Sequence, residues 1–280
     1  SAAQLIGGAL SSSLSLISDG IHNLSDVFAL AISYIADRLG DSKSNKARTY
    51  GYKRAEIIAA FINASMLIGV SVYIFQEAIG RFWEPVTVDS MMVIWLAGLS
   101  VAINLFCVVV LHRDAAHNLN VRSAYLHLLT DALTSVAVVL GGLAIYVWEI
   151  YWIDSALSIA ISIYLVIASY KLLIHALRVL MQFSPSHLDI DEVVNDLTQH
   201  PRVANVHHVH LWQLTENEIH FEAHIDFHED VLLSDASATL KDLRSSLHSK
   251  FGIDHAVLQP EVGIPDPKVT VIEEDCKKHF

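Results

Sequence analysis

Five stretches of this chain, at about residues 19–39, 57–80, 91–111, 123–148 and 153–174, stay apolar for close to the length of a bilayer crossing, and a shorter one covers about 2–17. A helix needs roughly 20 apolar residues to span the hydrocarbon core. Soluble core helices rarely reach that length one after another, so the pattern predicts six membrane-spanning helices within residues 1–183. The opening Ser1 to Gly8 reads as the middle of such a helix, with no cleavable signal, so a preceding segment is expected. The composition fits: 53% of residues are apolar, 17% are charged, and the mean hydropathy is +0.42.

Residues 184–280 have a different character. Pro185 marks the boundary, after which Ile190 to His200 reads as an amphipathic helix stopped by Pro201. Val203 to Leu214 and Glu218 to Phe227 alternate as strands, Ser234 to Phe251 is helical up to Gly252, and His255 to Val262 is a last strand. The expected fold class is therefore a mostly α membrane protein with a C-terminal soluble α/β domain of order α-β-β-α-β, resembling a metallochaperone. That domain holds 18 acidic residues against 7 basic ones, nearly the whole formal charge of −12. Such acidity excludes nucleic acid as a partner and suits a domain that handles cations.

Basic residues set the orientation. Lys43, Lys46, Arg48, Lys53 and Arg54 follow the second span, and Arg113 and Arg122 lie between the fourth and fifth; the opposite loops offer only Arg81. The positive-inside rule places the 41–55 loop, the 112–122 loop and the C-terminal domain in the cytoplasm. Trp83, Trp148, Tyr151 and Trp152 then fall at the outer interface.

Ionisable side chains inside these runs are costly and mark function. His22 and Asp26 are four residues apart and share one helix face, and His127 and Asp131 repeat the spacing in another span. Two imidazoles and two carboxylates form an N₂O₂ set suited to tetrahedral Zn²⁺, and open to Cd²⁺ or Co²⁺. The carboxylates balance a divalent charge, and protons compete with metal for the imidazoles. Asp19 is either a helix-terminal carboxylate or part of a vestibule. In the soluble domain His207, His208 and His210 precede His220, Glu222, His224, Asp226 and His228, which alternate onto one strand face. The two cysteines, Cys107 and Cys276, indicate no disulfide framework; Cys276 and His279 have a ligand spacing on the C-terminal tail.

The segments Ser15 to Asp26, Arg48 to Glu56 and His127 to Asp131 together resemble the cation diffusion facilitator family, most closely its bacterial zinc/cadmium/cobalt exporters, which are similar to vertebrate zinc transporters. The resemblance implies a homodimer of six-helix protomers in the bacterial inner membrane that exports metal in exchange for protons. It carries the transport site onto His22, Asp26, His127 and Asp131. A cytoplasmic metal site falls on His207, His224, His255 and Glu261, with Zn²⁺ as its ligand. The other reading is a membrane-anchored metal sensor whose His-rich domain signals; it leaves the paired ionisable residues in the spans without a task.

Overall fold

The computed structural model describes residues 1–40, 45–115, 119–265 and 267–271. Two compact units emerge from the packing: Ser1–Arg38 with Ala59–Ile174, and Leu39–Ile58 with His175–Phe280. Lys43, His117, Cys276 and His279 lie outside the described residues.

Six helices supply the first unit, the ends of α2, α3 and α6 passing beyond it: α1 (Ala2–Ser11), α2 (Leu14–Gly40), α3 (Ala55–Trp83), α4 (Ser90–Ala115), α5 (Leu119–Trp148) and α6 (Trp152–Leu180). Among the described residues four segments are long and apolar enough to cross a membrane: Ala55–Trp83, Ser90–His112, Tyr125–Trp148 and Trp152–Leu180. α1 has only ten residues, and α2 interrupts its apolar run with Asp19, His22 and Asp26. Large apolar side chains such as Trp95, Phe106 and Val109 on α4 stay exposed, as lipid-facing residues would. The expected first span, 2–17, is divided: Ser12 takes a left-handed conformation (φ 58°) and ends α1, and α2 begins at Leu14.

That break is held by a residue far away in sequence. The Asp154 carboxylate, in the first turn of α6, accepts hydrogen bonds from the Leu14 and Ser15 backbone N–H groups at 2.8 and 3.3 Å and from the Ser13 hydroxyl at 2.6 Å. The free N–H groups of α2 are thus capped by an anion, which the helix dipole also favours. Six residues on, Gly20 lets α2 pass close to α1, because a Cβ there would lie 3.1 Å from the Gln4 Cβ and 3.2 Å from the Leu5 nitrogen.

The second unit carries a two-layer α/β domain. Its sheet, β1 (Val203–Gln213), β2 (Ile219–Phe227) and β3 (His255–Glu261), has the order β1-β2-β3, with β1 antiparallel and β3 parallel to β2. The parallel step follows from α8 (Leu233–Phe251), which crosses over between β2 and β3. α7 (Ile190–Thr198) and α8 supply Val193, Leu197, Leu240, Leu243 and Leu247 to a core that meets Phe221, Ala223 and Ile225 of β2. Because side chains alternate on a strand, burying these apolar residues turns His220, Glu222, His224 and Asp226 to the opposite face. Gly252 ends α8 at φ 65°, a conformation that glycine adopts without strain. His228 lies past the end of β2 and does not extend the ligand row.

Candidate metal centres

The helix-local pairs on α2 and α5 meet. His22 Nε2 lies 3.1 Å from Asp131 Oδ1, and His22 Nδ1 is 3.8 Å from Asp26 Oδ2. His127 Nε2 stands 3.5 Å from Asp26 Oδ2 and 3.7 Å from Asp131 Oδ2. One donor atom each from His22, Asp26 and Asp131 lies within 4.8 Å of the other two, so these three residues are grouped closely enough to hold an ion, and His127 approaches both carboxylates. Among the described residues, His22 Nδ1 and Asp26 Oδ2 are buried and make no hydrogen bond. Lone pairs left so are suited to an ion.

His22 and Asp131 are almost fully buried, whereas the His127 side chain is half exposed. His127 opens onto a cavity of about 620 Å³ that is also lined by Gln4, Asn23, Asp26, Asn104 and Asp131. The Tyr164 ring of α6 meets His22 edge-on at 6.3 Å.

One turn before His22, Asp19 is fully buried and is part of a polar brace. It accepts hydrogen bonds from Gln4 Nε2 of α1 and from the Ser135 hydroxyl of α5, the latter at 2.9 Å. Asp19 is therefore neither solvated nor at a helix end, but ties three helices together beside the cluster. Asn63 of α3 exchanges hydrogen bonds with Ser25 at 3.0–3.2 Å, next to Asp26. Asp154, which caps α2, carried no signal in the sequence beyond its place at the start of an apolar run.

The second cluster lies on the polar face of the sheet. His207 pairs in register with His224, and Asp226 with Glu261. His207 Nε2 is 3.4 Å from Glu261 Oε2, His224 Nδ1 is 2.7 Å from Glu261 Oε1, and His207 Nδ1 is 3.3 Å from Asp226 Oδ2. His207 and Glu261 are buried. A β-bulge between His207 and His210, with His208 at φ 51°, makes this possible. It resets the alternation so that Val206, Val209 and Leu211 all reach the core while His207 faces the ligands. The same bulge stacks the His208 ring on His224 at 4.6 Å.

His255 does not join this group. The parallel register sets it opposite His220, six residues or roughly 20 Å along β3 from Glu261. There His255 belongs to a ring cluster with His220, Trp212 and Tyr50. The structure thus gathers His207, His224, Glu261 and Asp226, and separates His255 from the set expected by resemblance.

Known proteins match this chain over nearly its whole length. Residues 1–181 match the family profile of the cation efflux transmembrane domain, and residues 185–262 match that of the cation efflux protein cytoplasmic domain. A cadmium, cobalt and zinc/H⁺-K⁺ antiporter of Bacillus velezensis is 32% identical over 96% of this chain and 86% of its own length. The metal cation efflux system protein CzcD of Cupriavidus metallidurans is 35% identical over 99% of this chain and 85% of its own. The zinc transporter ZitB of Escherichia coli is 33% identical over 92% and 82%.

Proposed function

Because the chain belongs to the cation efflux, or cation diffusion facilitator, family and is a transporter rather than an enzyme, we propose that it exports Zn²⁺, and by the same donor set Cd²⁺ or Co²⁺, from the cytoplasm in exchange for protons. The cargo ion is held by His22, Asp26, His127 and Asp131. Supporting this is one observation: two helix-local pairs, from α2 and α5, converge, each imidazole lying 3.1–3.8 Å from both carboxylates within largely apolar stretches.

The donor set accounts for exchange. Two carboxylates cancel the charge of a divalent ion, and two neutral imidazoles give it nitrogen ligands without adding charge. When the ion leaves, the two negative charges are stranded in a poorly solvated site, and protons are the available replacement. Imidazole ordinarily titrates near about 6.5, so protons and metal compete at physiological pH. Since each helix supplies half the site, a relative movement of α2 and α5 would open the coordination shell, as alternating access requires.

In this reading α1 to α6 all cross the bilayer, α1 being the shortened first span, and the membrane domain runs through 183. The domain at 184–280 faces the cytoplasm of a bacterial inner membrane, pairs with a second copy, and binds Zn²⁺ through His207, His224 and Glu261. The acidity of this domain and the names of the matching relatives support it.

The test is flux. Purified chain in liposomes with an internal zinc indicator should move Zn²⁺ against an imposed pH gradient, with proton movement in the opposite sense. Zinc movement that ignores the gradient, or that persists at the full rate in both Asp26→Asn and Asp131→Asn, would overturn the proposal.

A further inference from the structure

The cluster on the sheet already holds a cation, and that cation belongs to the chain. Lys268, in the segment after β3, places Nζ 2.9 Å from Asp226 Oδ1, 3.6 Å from Glu261 Oε2 and 3.5 Å from His207 Nε2. The ammonium therefore approaches both carboxylates and one of the imidazoles that would ligate a metal. Asp226 and Glu261 are 8% and 4% exposed. Two carboxylates at that depth need a compensating charge, and one lysine offsets only half of theirs. A divalent ion would neutralise both.

Lys268 is delivered by backbone pairing. The His208 N–H donates to the Val269 carbonyl at 3.2 Å, and the Val209 N–H donates to the Thr270 carbonyl at 2.7 Å. These donors lie in the bulge that orients His207, so the segment that carries the cation and the strand that carries the imidazole are held by the same hydrogen bonds. The Lys268 side chain is 36% exposed, with Pro267 before it. Thr270 and Val271 line a cavity of about 650 Å³ together with Ser184 and residues 186–192, in the stretch that follows α6. Displacement of the segment would therefore change the surroundings of that connection.

We propose that Lys268 is a tethered cation occupying the site of His207, His224 and Glu261 in the metal-free chain, and that Zn²⁺ enters by displacing it and releasing the Val269–Thr270 pairing from the bulge. The inference rests on the reading of this cluster as a zinc site. It makes the C-terminal segment a competitor with a local concentration that does not dilute, so cytoplasmic zinc must exceed a threshold before the site fills. By linkage, whatever zinc does to the segment the segment does to zinc affinity.

The experiment uses the full chain in detergent with Asp26→Asn and Asp131→Asn, so that zinc titrated against a chromogenic chelator reports the sheet cluster. In this background Lys268→Met should bind zinc about tenfold more tightly, within the usual range of coupling between sites, whereas Lys268→Arg, which keeps the charge, should stay near the parent. Amine-reactive footprinting read by mass spectrometry should show Lys268 becoming more reactive as zinc saturates the parent. His224→Ala should lose both the zinc and the change in reactivity. Unchanged or weaker affinity in Lys268→Met, or constant Lys268 reactivity, overturns the tethered-cation proposal alone if His224→Ala still loses zinc. Zinc binding unaffected by His224→Ala overturns the zinc-site reading and this proposal with it.

Discussion

His22 and Asp131 are 109 residues apart in the chain, yet His22 Nε2 lies 3.1 Å from Asp131 Oδ1, both almost fully buried between apolar helices. Neither residue could be accommodated there at low cost without the other or an ion, since an unpaired ionisable group in such surroundings carries a penalty of several kcal/mol. The pairing makes the site a joint property of α2 and α5.

Asp131→Asn keeps the shape of the side chain and removes its charge. Zinc affinity at the α2–α5 cluster should fall on the order of a hundredfold, and metal-driven proton movement should disappear. Titration of detergent-solubilised protein together with liposome flux checks this. A variant that still couples zinc to protons at the parent rate would show that the carboxylate is not a ligand.

His22→Asp tests selectivity. Replacing an imidazole by a carboxylate hardens the donor set and adds charge, so the range of transported ions should broaden and the preference for Zn²⁺ over Mn²⁺ should narrow. Flux measured metal by metal decides the matter; equal Zn²⁺ and Mn²⁺ affinities in the parent chain would already refute the preference.

Asp154→Ala should loosen the start of α2. Two backbone N–H groups and the Ser13 hydroxyl lose their acceptor, at a cost of about 1–3 kcal/mol for buried groups left unsatisfied. Hydrogen exchange at Leu14 and Ser15 should quicken and the melting temperature should drop. Exchange at the parent rate would mean that water replaces the cap.

Gly20→Val should separate α1 from α2. Neighbouring atoms already lie 3.1–3.2 Å from where its Cβ would stand, and one of them is backbone. A cost of about 1–3 kcal/mol is expected from overpacking, accompanied by loss of the Gln4 to Asp19 hydrogen bond across the same contact. Thermal unfolding in detergent is the measurement, with Gly20→Ala giving a smaller shift.

In the second unit, Asp196 gives a pH dependence of known sign. Burial pushes its carboxyl up, but the Lys250 ammonium and the Ser246 hydroxyl outweigh this and hold it below the ordinary carboxylate range. A group depressed on folding contributes stability above its unfolded value, near pH 4, and loses it as pH falls through the lower native value. Asp196→Asn should therefore destabilise the contact between α7 and α8 at neutral pH by about 0.5–1 kcal/mol, discounted for the exposed lysine. Below the native value the difference should vanish. Hydrogen exchange of α7 amides at several pH values reads this directly.

What the sequence determined by itself is local. The spacing in His22–Asp26 and His127–Asp131 places each pair on one helix face whatever else the chain does, and alternation along β2 makes one face of His220, Glu222, His224 and Asp226. Apolar run length set the helices from Ala55 to Leu180, and capping and turn residues set the element order of the C-terminal domain. Tertiary structure decided which local faces meet. It joined the two HxxxD pairs, brought Asp154 to the start of α2, and buried Asp19 against Gln4 and Ser135. It also set Glu261 and not His255 beside His207 and His224, because the offset of a parallel strand depends on how α8 packs in crossing over. The bulge at His208 and the return of Lys268 to the sheet lay equally beyond local pattern. In each case the deciding energy comes from contacts between residues distant in the chain, which no spacing within one element encodes.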